Sequence, residues 1–270
     1  MSTTQEKVID ATDQGGITIE VRDRVMLIGL DRSSKRNALT PKIMRELSGA
    51  YAAFDQDDEL RCALLFGHGT IYCAGFDLTL LKQAVAEGME YGDDRYDPFG
   101  LTGRRLSKPL VVAVHGACFA GGLELALNGD VIVAAHGTLF GQPEVARGVF
   151  AFGGGTIRWL QRTSWGNAQV HLLSGDTLTA EEAYRIGLVQ EIVAPPDVMN
   201  RSFVIASTIA DAAPVGVRHS LAVSRAAIDE GPRAAAEKMA KLRAEIVDTE
   251  DAGEGVRSFL EKRKANYVGR

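Results

Sequence analysis

The sequence predicts an α/β fold, and three observations carry that prediction. Short apolar, strand-like runs alternate with helix-like segments through the first two thirds of the chain. Glycine-rich turns separate them, and from about Pro196 the alternation gives way to alanine-rich helical segments alone. The 270 residues, 46% of them hydrophobic, suffice for a large core. We therefore expect an α/β core over 1–195 and a helical region over 196–270.

The elements follow in order. "ITIEVRDRVMLIGLDR" (17–32) holds two β-rich runs separated by Arg22, Asp23 and Arg24, which reads as a hairpin. Thr40 then Pro41 is a helix start, an N-cap followed by a proline at the first helical position, and "PKIMRELSGAYAAF" keeps helical spacing. A strand "CALLFG", a loop over 67–75 and a helix from about Asp77 come next; "AEGMEYGDDRYDPFG" is a poorly patterned loop or short helix. "PLVVAVHG" is a buried strand by its continuous apolar run, "GGLELALNG" a short helix closed by Asn128 and Gly129, and "DVIVAA" a further strand. Four helical segments follow from Val198, punctuated by Pro214, Gly231–Pro232 and Gly253.

Composition narrows the function. A net charge of −5 argues against a nucleic-acid surface, which needs clustered Lys and Arg to neutralise phosphates. Cys62, Cys73 and Cys118 have no C-x-x-C spacing and an odd count, so neither a disulfide framework nor a zinc site is expected. The N-terminus lacks a basic segment followed by an apolar one, and no apolar run is long enough to span a bilayer. A cytoplasmic protein without a membrane partner is the expectation. His68, His115, His136, His171 and His219 show no ligand spacing, so no metal is expected. "GGGTIR" lacks the last glycine of a dinucleotide fingerprint.

Two carboxylates stand out. Glu124 interrupts the apolar run "CFAGGLELALNG" three residues after Gly121, where it could cap its own helix or face a group that Gly121 and Gly122 let approach the backbone. Glu144, in "LFGQPEVARG", lies twenty residues on and across one strand; it could start a helix after Pro143 or face Glu124. Two acids in one low-dielectric site do not both ionise readily, so an acid and a base can coexist near neutral pH, as adding water to a double bond requires. In "IYCAGFDLTLL", Gly75 precedes Phe76 and Asp77 at a loop-to-helix junction that presents backbone N–H groups, with an ordinary N-cap at Asp77 as the plainer reading.

Together with "KRNALT" (35–40), "CAGFDL" (73–78), "KPLVVAVHGACFAGGLELALNGDVIVAA" (108–135), "FGQPEVARG" (140–148), "GGGT" (153–156), "LSGDTLTAEEAYRIGLVQEIV" (173–193) and "FLEKRKANY" (259–267), these motifs resemble the crotonase, or enoyl-CoA hydratase/isomerase, superfamily. The resemblance implies a spiral of ββα units followed by helices that pack between subunits, as a homotrimer or a dimer of trimers. It implies catalytic roles for Glu124 and Glu144, and an oxyanion hole made by the amides of Phe76 and Gly121. Removing one such donor costs on the order of 3 kcal/mol of transition-state stabilisation.

The implied substrate is a trans-2-enoyl-CoA thioester that gains water across its 2,3 double bond, or is formed by the reverse dehydration. Coenzyme A is then part of the substrate and no separate cofactor is called for. The CoA is expected along the "KRNALT" loop, with Lys35 or Arg36 near phosphate, backbone contacts from Ala38 and Ala74, contributions from Asp77 and Leu78, and Lys262 and Tyr267 reaching it from the last helix, in some relatives that of a neighbouring subunit. For Lys35 and Arg36 a solvated surface is the plainer reading.

Alternatives within the superfamily are isomerisation, carnitinyl-CoA-type dehydration, racemisation through a dehydration step, thioester hydrolysis, and hydration of an aromatic or branched enoyl-CoA. From another class, a non-catalytic acyl-CoA binder is open. The chain departs from many hydratases in "FAFGGGT", where a Pro-Gly-Ala-Gly loop is common, and in Phe76, where short-chain hydratases often carry alanine. Phe150, Phe152, Trp159 and Trp165 are candidates for shaping the acyl pocket or for core packing, and 82–101 is expected to shape that pocket too.

Overall fold

The computed structural model describes residues 13–80 and 96–270. Among these are nine strands, β1 (Gly16–Arg22), β2 (Val25–Asp31), β3 (Cys62–Gly67), β4 (Leu110–Val114), β5 (Ala117–Phe119), β6 (Val131–Ala135), β7 (Leu139–Gly141), β8 (Thr177–Thr179) and β9 (Glu191–Val193). They form a six-stranded sheet in the order β1-β2-β3-β4-β6-β9, parallel except for the first hairpin, and a three-stranded sheet β5-β7-β8. The β1–β2 turn is tight because Asp23 and Arg24 both take positive φ, 48° and 65°, as a two-residue hairpin turn with the strands' twist demands.

The helices are α1 (Pro41–Gln56), α2 (Gly121–Leu127), α3 (Gly155–Arg162), α4 (Trp165–Ser174), α5 (Ala180–Arg185), α6 (Val198–Asp211), α7 (Pro214–Asp229), α8 (Pro232–Ile246) and α9 (Glu250–Glu261). The chain winds by visiting the large sheet, then the small sheet, then a helical segment. β4, β5 and α2 form one such turn; β6, β7 and a 3-10 turn, Pro143–Arg147, form the next. Gly116 makes the step from β4 to β5 at φ +64°, with no room for a Cβ, which would meet the Thr70 carbonyl at 2.2 Å.

Alternating residues of the large sheet enter two cores. Val25, Leu27, Leu64, Val111 and Val133 pack with Val198, Ala206 and Ala210 of α6, whereas Met26, Ile28, Leu65, Val112 and Ile132 pack with α1, α2 and Phe140 of the small sheet. Burial on both faces is why these strands read as continuous apolar runs. α1 starts as its sequence implies, with the Thr40 hydroxyl accepting from the Ile43 amide at 3.2 Å.

In the helical region, Pro214 and Gly231–Pro232 mark breaks, but Gly253 does not. It lies inside the first turn of α9, whose start is set four residues earlier by Thr249, its hydroxyl accepting from the Ala252 amide at 3.1 Å. α6 covers one face of the large sheet, and α7 and α8 pack on each other. The C-terminal tail folds back onto α9, where the Asp251 carboxylate accepts from the Val268 and Gly269 amides. Of the helix expected from Asp77, residues 78–80 are helical; its continuation, and the part of the expected pocket segment before Tyr96, lie outside the described residues. Among the described residues no helix is long and apolar enough to cross a membrane.

Candidate active site

The small sheet brings together the two glycine-bearing junctions. Cys73 bridges to Cys118 of β5, with the Phe119 amide donating to the Cys73 carbonyl at 3.0 Å, so residues 74–76 run beside 119–121. Gly75 adopts φ +99°, and a Cβ there would meet that of Ala120 at 2.7 Å. Ala120 itself takes φ 50°, ψ −129°, a conformation costing a non-glycine residue about 1–3 kcal/mol. Its N–H donates to the Gly141 carbonyl at 2.9 Å, and the turn it makes sends the chain from β5 into α2. Gly121 supplies the first amide of α2, a position outside the helix's own hydrogen-bond ladder. The paired glycines are steric necessities: a Cβ on Gly121 would enter the Phe76 ring at 2.6 Å, and one on Gly122 would strike Cys73 Sγ at 2.7 Å.

A cavity of about 410 Å³ opens at this junction, and it is lined by Arg36, Ala74, Phe76, Leu78, Gly121, Glu124 and Glu144 among the residues singled out in the sequence. Lys35, Ala38 and Asp77 are not among its lining residues. The Ala38 carbonyl and the Asp77 carboxylate both accept from the buried Arg32 guanidinium, at 3.2 and 2.9 Å, and Asp77 also accepts from the Thr79 amide. Asp77 thus ties the "KRNALT" loop to the Phe76 junction. The structure does not bring Lys262 and Tyr267 to this chain's cavity: Lys262 closes α9 in a left-handed conformation, and the Tyr267 carbonyl accepts from Arg61.

The two glutamates are held differently. Glu124 is 2% exposed and does not cap its own helix; its Oε1 accepts from the Gly155 amide at the start of α3, at 2.9 Å. Burial pushes its carboxyl up to about 7, the amides of Gly155 and Gly153 oppose that, and the charge of Glu144 adds to it. Glu144 lies in the 3-10 turn behind Pro143, and its Oε1 accepts from Gln142 Nε2 at 2.7 Å. Gln142 is oriented in turn by Trp159, whose indole N–H donates to its Oε1 at 3.2 Å. Burial raises the Glu144 carboxyl above its usual range against the Gln142 hydrogen bond, and its Oε2 is buried with no hydrogen-bond partner among the described residues.

Gln142, Trp159 and the glycine run are therefore supports that sequence reasoning assigned no such role. The signal was present in "GGGT": a Cβ on Gly153 would lie 2.7 Å from Glu124 Oε2, and one on Gly155 would crowd Ala151 and Gln142. Of the four aromatics raised, Phe152 lines the cavity, Trp159 is fully buried, and Phe150 and Trp165 are exposed. Arg147, Val149 and Thr177 also line the cavity and were not anticipated.

Burial holds the Cys73 thiol at about 12 and that of Cys118 well above its ordinary value, and Cys73 packs on the Asn37 carbonyl and Gly122. The histidines are dispersed, His68 on Thr18, His115 on the Gly69 carbonyl and His171 on Asp176. Among the described residues no three His, Cys, Asp or Glu side chains gather as metal ligands.

The chain has relatives over nearly its whole length. An enoyl-CoA hydratase, EchA19, of Mycobacterium tuberculosis is 32% identical over 93% of this chain and 96% of its own length. A carnitinyl-CoA dehydratase of Proteus mirabilis is 33% identical over 93% and 98%. The crystal structure of a probable enoyl-CoA hydratase/isomerase from Mycobacterium abscessus superimposes with a TM-score of 0.91 at 41% identity, over 94% of this chain and 98% of that one. The fold is accordingly the crotonase fold, an α/β core of two sheets with C-terminal helices. The model of the enoyl-CoA hydratase/isomerase family matches residues 20–270, and the chain belongs to that family.

Proposed function

We propose that the protein is an enoyl-CoA hydratase-type hydro-lyase, adding water across the 2,3 double bond of a trans-2-enoyl-CoA or running the reverse dehydration. One observation carries this reading: two carboxyls, both raised by burial and coupled by charge, border the same cavity as the Phe76 and Gly121 junction. The amides of Phe76 and Gly121 would donate to the thioester oxygen and stabilise it as charge builds there. Glu124 and Glu144 would hold the water between them. As its oxygen bonds to C3, one carboxylate takes a proton from it, and C2 receives a proton from the pair. Glu144 Oε2, a buried acceptor without a partner among the described residues, suits the water-holding task. The pair titrates as a unit, so the competent state is the one that shares a single proton near neutral pH.

Arg36, at the cavity wall, is the proposed phosphate contact of the CoA, with Lys35 beside it, and Ala38, Ala74, Asp77 and Leu78 shape the channel. Lys262 and Tyr267, remote from this chain's cavity, would serve the cavity of a neighbouring copy in a trimer or paired trimers built on the helical region. The dehydratase relative points to a hydroxyacyl-CoA as the substrate of the reverse reaction, on the same residues.

The test is to incubate the enzyme with crotonyl-CoA and longer enoyl-CoAs while following loss of the conjugated-thioester absorbance and product mass. Hydration adds the mass of water, whereas isomerisation adds nothing. Glu124→Gln and Glu144→Gln should each lower kcat by about 10²–10⁴ with little change in KM. Full activity in both variants contradicts the reading.

A further inference from the structure

The cavity carries an aromatic face that hydration does not require. Phe76 and Phe152 both line it, with ring centroids 6.4 Å apart and planes inclined by 18°, an offset-stacked pair. Phe99 backs Phe76 at 5.8 Å, tilted by 55°. Phe152 is 45% exposed, so its ring presents apolar surface instead of filling the core.

Both rings are tied to the groups proposed for chemistry. The Phe76 ring lies over Gly121, whose added Cβ it would meet at 2.6 Å. Phe152 immediately precedes Gly153, which abuts the Glu124 carboxylate. Phe99 is held in turn by the Asp97 carboxylate, which accepts from its amide at 2.8 Å, and by the buried Arg158 guanidinium, which donates to its carbonyl. The face is thus set beside Gly121 and Glu124, where the proposed function puts the thioester and the double bond. A flat ring on the acyl chain can stack on it edge-to-face or offset, whereas a puckered ring or a coiled alkyl chain of equal size gains only area.

Resting on the acyl-CoA reading above, we infer that the site selects acyl-CoA thioesters with a planar aromatic group on the third acyl carbon, and that Phe152 is the residue that determines this. The specific part of a stacking contact corresponds to about 3- to 10-fold in affinity.

The experiment uses two unreactive saturated probes of equal carbon count, 3-phenylpropanoyl-CoA and 3-cyclohexylpropanoyl-CoA, titrated calorimetrically into the intact protein. Because neither probe can be hydrated, the readout does not depend on turnover. Wild type should bind the phenyl probe 3- to 10-fold tighter. Phe152→Leu should bring the two within twofold, and Phe150→Leu, which alters a ring 6.1 Å away that does not line the cavity, should keep the preference. Equal affinities in wild type, or a preference unchanged in Phe152→Leu, overturn the aromatic selection alone. Failure of both probes to bind overturns the acyl-CoA reading and this inference with it.

Discussion

The turn after β5 and the turn after β7 each deliver a glutamate to one cavity, and they hold it by opposite means. Glu124 is enclosed by backbone: the Gly155 amide donates to it, and Gly153 presses against its other oxygen. Glu144 is half-buried and steered by side chains, Gln142 directly and Trp159 through Gln142. A backbone cradle has no rotamer to change, so Glu124 is fixed where its proton is costly to lose. A side-chain relay leaves Glu144 adjustable. The difference suggests how two chemically identical acids can play distinct parts, since environment alone separates them.

The largest expected effect tests the cost of burying Glu124. Its carboxyl is raised from 4.5 to about 7, so between those values the folded protein holds a proton that the unfolded chain has released. The stability contributed by the neutral form is therefore full below pH 4.5 and is lost as pH rises towards 7. Glu124→Gln removes this loss. In urea denaturation its stability relative to wild type should improve by about 2 kcal/mol between pH 5 and pH 8. A constant difference across that range would show that Glu124 does not carry the elevated pKa.

Next in size is the backbone cradle itself. Gly153→Ala places a methyl against Glu124 Oε2 and the Phe99 ring, and the carboxylate must move by several tenths of an ångström. Steady-state kinetics with crotonyl-CoA should show kcat falling about tenfold. Gly148→Ala is the contrast: its φ of +77° makes any side chain costly by about 1–2 kcal/mol, but nothing lies within 4 Å, so stability falls and kcat stays.

The smallest effect concerns the relay. Trp159→Phe removes the donor that orients Gln142, a hydrogen bond worth about 1 kcal/mol, and should cost about fivefold in kcat. Because the Gln142 contact lowers the Glu144 pKa, loosening it should also move the acid limb of the kcat/KM profile to higher pH. A structural role alone would leave that limb in place.

Much of this was legible in the sequence because local chemistry dictated it. The β1–β2 hairpin, the Thr40–Pro41 start of α1 and the doubly buried strands follow from turn residues, a cap and apolar continuity. Glu124 and Glu144 were conspicuous as acids in apolar surroundings, and Gly121 and Gly75 as glycines at junctions. What was not legible depended on packing between distant segments. Nothing near Gly253 reveals that Thr249 sets the start of α9, since both are acceptable helix punctuation. Glu124 reads equally well as a cap of α2 until α3 is seen to donate to it across 31 residues. Gln142 and Trp159, seventeen residues apart, share no local pattern. Whether Phe152 fills a core or faces a cavity is likewise decided by the shape around it.

The account rests on Glu124 and Glu144 forming one electrostatic unit, and a pH titration of protein labelled with ¹³C at the glutamate carboxyls, followed by NMR, tests it most directly. In wild type one resonance, absent from Glu124→Gln, should titrate near 7, and in Glu144→Gln that same resonance should shift to lower pH as the neighbouring charge is lost. A Glu124 resonance that titrates near 4.5, or one that does not respond to Glu144→Gln, would contradict it.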